Sequence, residues 1–269
     1  MESVKTADYH AAIILFILLT SIFQQPCSPS ARLFKGFKIL AALLRKSWLF
    51  LRYSVAFILG LVLLFTVVPV PYTGVMLERQ LEAWWYGKQS YQLHHHWVPL
   101  TKISRHVLQA AVASEDQKFL QHHGFDMQAI EKALVYNSKG KKVRGASTIS
   151  QQTAKNVFLW SDRSWLRKGL ETGFTLLIEA VWGKSRILEV YLNSIEFGPG
   201  VFGVEAAAQR YFNRSAAQLS AQQAALLVTV LPNPHRFLLQ RPSPYMLKRQ
   251  QWVQKQMRQL PSVAEAIGK

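Results

Sequence analysis

Cysteine is all but missing from this chain. Cys27 is the only one in 269 residues, so no disulfide closes within the chain and no cysteine cluster holds a metal. The residues before it, Gln24-Gln25-Pro26, lack the small side chains of a lipid-modified cysteine, so Cys27 reads as incidental. Acid is scarce as well. Fifteen Asp and Glu face 32 Lys and Arg, for a net charge of +17. Such an excess calls for an anionic counterpart, whether nucleic acid, a membrane surface or a phosphate-bearing substrate. Charged residues make up only 17% against 49% hydrophobic, too little charge for a disordered chain and enough apolar surface for a core. Repeats and low-complexity tracts are absent, and strand signals are few.

What the chain does have is a long apolar run. Tyr53 to Pro71 holds no charged residue over 19 positions, about 28 Å if helical, close to the ~30 Å hydrocarbon thickness of a bilayer. Trp48 and Tyr72 bracket it as interfacial aromatics do. Arg32, Lys35, Lys38, Arg45, Lys46 and Arg52 precede it with no acid among them, whereas Glu78 and Glu82 come after it. The positive-inside rule then keeps the N-terminus cytoplasmic and places the rest outside. The expected division is a basic segment over 1–47, a transmembrane helix over 48–72 and a single domain over 73–269. An earlier apolar run, Ala11 to Phe23, is too short to cross alone and reads as an interfacial extension.

Beyond Thr73 the pattern predicts an all-α domain. Ile103, Val107, Leu108, Ala111 and Val112 recur at helical spacing and lead into Glu115. Asp126 reads as the N-cap of a helix over Met127 to Asn137, and Ser147 or Thr148 as the cap of one running to about Asn156. Asp162 is expected to open a long helix striped by Leu166, Leu170, Phe174, Leu177, Ile178 and Val181, ending at Gly183. Lys139 to Lys142 is expected as a basic turn and Glu196 to Gly203 as a glycine-rich loop. Ser220 then caps a helix that Pro232 and Pro234 stop, and Tyr245 to Leu260 forms the last one.

Two carboxylates and a set of cations stand out along these helices. Glu115 ends an apolar stripe, where partial burial raises a carboxyl pKa toward that of a general base; the plain alternative is a solvated helix end. Glu171 borders the next stripe and is either a structural ion-pair partner or a cleft residue. Lys155, Arg163, Arg167 and Lys168 lie within one or two helices of these acids. A departing diphosphate needs its charge neutralised rather than a proton donated, so one base with a cationic cluster suits glycosyl transfer from a diphosphate. Two carboxylates without cations suit glycoside hydrolysis instead. The cations are otherwise a solvated face. Ser147, Thr148, Gln151 and Gln152 either bind hydroxyls and phosphate oxygens or cap their helix. His94-His95-His96 cannot all point at one ion, and His122 and His123 read as structural hydrogen-bonders, so no metal site is assigned.

At these residues the chain resembles the peptidoglycan glycosyltransferases, the family that polymerises lipid II. Glu115-Asp116 with Phe119, His122 and Gly124, then Gly145 through Asn156, then Arg167-Lys168 with Glu171, resemble its first three motifs in order. Tyr191-Leu192-Asn193, Glu196-Phe197-Gly198 and Gly203 to Ala207 resemble the family's later segments, and the likeness spans roughly Thr101 to Phe237. The nearest likeness is the monofunctional, membrane-anchored type. That resemblance implies a lysozyme-like helical fold and attack of the lipid II 4-hydroxyl on the anomeric carbon of a lipid-diphosphate-linked glycan, with inversion. It makes Glu115 the base and Glu171 an aid to the acceptor or the leaving diphosphate. Lys155 and Arg163 would hold that diphosphate, with Gln152 and Asn156 shaping the cleft. Lys132, Ser147, Thr148, Arg167 and Lys168 complete the expected substrate contacts. No cofactor is required, although magnesium or manganese assists some members. Expected partners are lipid II, the growing chain, the bilayer and other cell-wall or division proteins, at a bacterial inner membrane with a periplasmic catalytic domain.

Three positions depart from the family pattern: Lys132 for a frequent arginine, Ala146 for a glycine, and Gln223 for an acid. The chain ends shortly after the matching region, and a penicillin-binding transpeptidase domain is not expected. The rival readings are a lytic enzyme cutting the same polymer, a catalytically impaired membrane scaffold, and a nucleic-acid binder. The last rests on charge alone, which from Thr73 onward is spread as 25 basic against 13 acidic residues.

Overall fold

The computed structural model describes residues 29–88, 90–140, 145–162 and 164–268, with side chains from residue 41 onward. Cys27, the 11–23 run, the side chains of Arg32, Lys35 and Lys38, Lys141 and Lys142 of the basic turn, and Arg163 lie outside the described residues. The chain divides into two compact units, residues 1–59 and 60–269.

Helix α1, Pro29–Leu64, runs from the first unit into the start of the second. Its Ala41–Leu64 stretch is the one helix among the described residues long and apolar enough to cross a membrane, at about 36 Å, and nearly all of it is exposed. The helix therefore stops short of the expected 72. Pro69 and Pro71 disfavour helical backbone just before them, and residues 65–72 leave the helix as turns. Carbonyls released there find partners within the second unit. Trp182 Nε1 donates to Val62 O at 2.9 Å, and Arg186 donates through Nε to Phe65 O at 2.9 Å and through a terminal nitrogen to Val68 O.

The second unit is helical, as expected. Its helices are α2 (Gly74–Trp85), α3 (Arg105–Glu115), α4 (Met127–Asn137), α5 (Ile149–Phe158) and α6 (Trp165–Val181). They continue with α7 (Lys184–Ser194), α8 (Val204–Phe212), α9 (Ala221–Leu227), α10 (Pro244–Gln259) and α11 (Val263–Ala266). Two packing groups form. Helices α9, α10 and α11 surround α3, while α6 and α7 enclose α5. Val107, Leu108 and Ala111 of α3, Ile149 and Ala154 of α5, and Leu188, Tyr191 and Leu192 of α7 are buried in one continuous core. That core fixes the ends of α3 and α5, where the chemistry lies.

Several local expectations hold. Asp126 caps α4 by accepting from Ala129 N–H at 2.9 Å. Of the two candidate caps for α5 the chain uses Thr148, in a capping box with Gln151. Ser220 caps α9 in a second capping box, where Gln223 Oε1 accepts from Ser220 N–H at 3.1 Å. The amide at 223 thus performs the capping an acid there would perform.

Others need correction. Ser164, not Asp162, caps α6, accepting from Arg167 N–H at 3.2 Å, because its extended backbone aims the hydroxyl at the first turn. The front of the α6 stripe is not core, since Leu166 and Leu170 are exposed and Trp165 is 92% exposed. Helix α9 ends at Leu227, before the prolines, and continues as a short 3₁₀ turn. The glycine-rich loop is a small sheet of order β1-β3-β2, with β1 (His94–His95) parallel to β3 (Val201–Phe202) and β2 (Glu196–Gly198) antiparallel to it.

One glycine ties α2 to α5. A Cβ on Gly74 would sit 2.2 Å from the backbone oxygen of Leu159, the residue that closes α5. Gly74→Ala is expected to lower the melting temperature by several degrees, because a backbone atom cannot swing aside and about 1–3 kcal/mol is lost at roughly 2–4 °C per kcal/mol. Thermal unfolding of the detergent-solubilised chain measures it.

Candidate active site

Glu115 is the last residue of α3 and faces a cleft of about 440 Å³. Its carboxylate is held from two sides. Gln152 Nε2, on α5, donates to Oε2 at 3.1 Å and Ser114 Oγ donates to Oε1 at 3.0 Å. Gln152 is itself fixed by the buried Tyr191 hydroxyl, which donates to its Oε1 at 3.3 Å. Burial pushes the Glu115 pKa up, with neighbouring Asp116 adding to the rise; the bonds from Gln152 and Ser114 and the Arg249 charge pull it partly back. The group is a carboxylate of raised basicity, oriented and open to a cleft.

Asp116 plays a different part although it adjoins Glu115. It is buried, and its oxygens lie 2.9 and 3.0 Å from His122 Nε2 while Oδ2 accepts the Ile149 backbone N–H at 3.0 Å. It therefore ties the end of α3 to the start of α5. His122 is structural, as expected. His123 is exposed, and His95 of β1 pairs with the Asn193 carbonyl at 3.0 Å.

The cations gather at the other end of α5. Gln152, Lys155 and Asn156 share one face of that helix, so Lys155 lies one turn, about 5 Å, beyond the Glu115 contact. Glu171, buried in α6, accepts from Arg167 at 2.5 Å and also from Lys168. The Lys155 side chain makes no hydrogen bond or close ion pair among the described residues. Burial lowers its pKa, the Glu171 charge opposes that, and Arg167, Lys168 and Arg79 lower it further. Three cations thus face one carboxylate, and the one left without a close partner is the most buried lysine of the group. An arriving polyanion stabilises that arrangement.

The remaining sequence candidates divide. Lys132, Ser147 and Thr148 line the Glu115 cleft, as does Ala146. The Thr148 hydroxyl is fully engaged, donating to Gly124 O at 2.6 Å and accepting from Gln151 N–H at 3.2 Å, so this residue builds the site rather than reaching into it. Ser147 is exposed, Lys132 is exposed on α4, and Asn156 is buried beside Gln152. Arg163 lies outside the described residues. For metal binding, no group of three His, Cys, Asp or Glu stands together among the described residues, and Asp116, the nearest acid to Glu115, is saturated by its own partners.

The sequence reading missed one wall of the cleft. Arg249, Trp252 and Gln256 of α10 line it. The Arg249 guanidinium donates to Ser114 O at 3.1 Å and stacks over Trp252 with its carbon 4.0 Å from the ring centre. No local signal marks these residues, because their partners lie some 135 positions earlier.

Comparison with known proteins bears on what this arrangement does. A family model described as Transglycosylase matches residues 83–258. A protein of Cronobacter sakazakii named biosynthetic peptidoglycan transglycosylase is 58% identical over 199 residues, 74% of this chain and 83% of that protein. Proteins of the same name from Salmonella heidelberg and Salmonella enteritidis PT4 are each 58% identical over 202 residues, 75% of this chain and 84% of theirs.

Proposed function

The chain belongs to the transglycosylase family, and from that premise we propose that it polymerises lipid II into peptidoglycan glycan strands at a bacterial inner membrane. The single observation that carries this reading is the pairing, along one face of α5, of a raised-pKa carboxylate with an unpaired, half-buried lysine one helical turn away. Glu115 takes the proton from the 4-hydroxyl of incoming lipid II as that oxygen attacks the anomeric carbon of the growing chain. The C1–O bond to the diphosphate breaks, its electron pair leaves with the phosphate oxygen, and attack from the opposite face inverts the centre. The leaving group departs already ionised, so cations serve it and no second acid is needed.

Lys155, Arg167 and Lys168 receive that diphosphate, and the family resemblance adds Arg163, which lies outside the described residues. Glu171 does not exchange a proton in this scheme. Buried between two cations, it sets the direction of Arg167 and Lys168. Gln152 holds the Glu115 carboxylate, while Lys132, Ser147 and Arg249 line the acceptor side. Magnesium or manganese, where present, supplies charge neutralisation to the same diphosphate, and no step here depends on it. The apolar helix ending at Leu64 anchors the domain in the bilayer, with the basic N-terminal side cytoplasmic and the catalytic unit periplasmic. Other cell-wall or division proteins are its expected company.

Labelled lipid II given to the detergent-solubilised chain tests the reading. A ladder of glycan products on a gel is expected, with the free lipid diphosphate released. Degradation of finished glycan without any polymer would make the protein a lytic enzyme instead.

A further inference from the structure

A second cavity, of about 480 Å³, opens between α2, the loop after it and the Glu196–Gly203 hairpin. Arg79, Lys88, Tyr91, Arg210 and His235 line it, and Glu82 is the one acid in its wall. Glu196 stands behind that wall, buried, with its Oε2 3.7 Å from Arg79 Nε and 3.2 Å from His235 Nε2. Lys88 and Arg210 have no carboxylate within 4 Å among the described residues.

Two buried donors here lack a hydrogen bond: Arg79 Nε, which meets Glu196 only as the 3.7 Å ion pair, and the Tyr91 hydroxyl. Burial, followed by the Glu196 charge, pushes the Tyr91 pKa up to about 12, so its phenol stays a donor at neutral pH. A buried N–H and O–H without partners are each costly, and the acceptor that satisfies them comes from outside the fold. Arg79 Nη1 is paired with Glu82 at 2.8 Å, and the two further cations beside those donors, Lys88 and Arg210, specify an acceptor that is anionic and has several oxygens.

The surroundings indicate where that anion comes from. Leu81 of α2 and the adjoining Trp84, Trp85 and Tyr86 are 62%, 73%, 77% and 70% exposed. Leu81, Trp84 and Trp85 lie on the face of α2 turned away from the cavity-lining Arg79, Glu82 and Ala83, whereas Tyr86 adjoins the cavity, with Lys88 Nζ 5.9 Å from its ring centre. Exposed aromatics on the helix that walls a cationic cavity match the boundary between acyl chains and headgroups. We propose that this cavity is a second phosphate subsite, which takes the phosphodiester of an anionic phospholipid headgroup. The choice of a lipid source rests on the membrane residence proposed above.

Native mass spectrometry of the full chain in nonionic detergent provides the test, with phosphatidylglycerol, phosphatidylcholine and inorganic phosphate as separate probes. Phosphatidylglycerol is expected to be retained in preference to phosphatidylcholine, with retention falling about tenfold in Arg210→Ala and several-fold in Tyr91→Phe. Arg210 is exposed, so its variant folds, and Tyr91→Phe removes one oxygen only. Glu115→Gln is expected to bind phosphatidylglycerol as the parent does, so the result stands apart from whether the chain polymerises anything. Equal phosphatidylglycerol retention by parent and both variants overturns the subsite. Variant-sensitive binding of inorganic phosphate without preference for phosphatidylglycerol overturns the lipid source.

Discussion

Glu115→Gln is expected to lose on the order of a hundredfold or more in polymerisation rate without loss of fold. The amide keeps the size of the carboxyl; its oxygen still accepts from Gln152, and its NH₂ donates to the Ser114 hydroxyl, so the local contacts survive. Removing a charge that burial disfavours leaves the melting temperature equal or higher. The drop in rate therefore reads a lost proton acceptor and not a lost structure. Turnover in labelled lipid II and thermal unfolding of the same preparation separate the two. Ordinary turnover by the variant would assign the proton to another group.

Glu171→Ala is expected to do the reverse in part, costing both stability and rate. Arg167 is buried, and apart from its Nε bond to Asp162 O its partner is Glu171. Stranding a buried guanidinium costs about 3–5 kcal/mol, on the order of 10 °C in melting temperature for a unit of this size. Lys168 is 40% exposed in its side chain and contributes little to that loss. Glu171→Gln keeps the volume and one acceptor, so it is expected to recover most of the stability. It leaves the rate down by about a hundredfold, because the two cations are no longer held against a charge. Full recovery of rate by Gln would reduce Glu171 to a packing role.

The contrast between these two acids shows what a sequence carries. Caps are local, and Asp126, Thr148 and Ser220 were legible because an oxygen three residues before an amide is a short-range fact. Glu115 at the end of an apolar stripe was legible for the same reason. Which of Glu115 and Glu171 stays free was not, because that depends on Arg167 and Lys168 turning back on their own helix. Arg249 and Trp252 were invisible, reaching Glu115 only through packing of α10 on α3. The parallel pairing of His94 with Val201 is equally non-local. Leu166 and Leu170 failed for another reason: hydrophobic periodicity reports an apolar face but not what covers it.

The acid limb of the pH–rate profile tests the central claim most directly. A base acts only when deprotonated, and burial raises the Glu115 pKa, so activity falls as pH drops through a value above the ordinary 4.5 of a glutamate. Gln152→Ala removes a donor to the charged form, so its limb is expected at still higher pH, with the plateau rate largely kept. A limb at or below the ordinary glutamate value, unmoved by Gln152→Ala, would contradict the account.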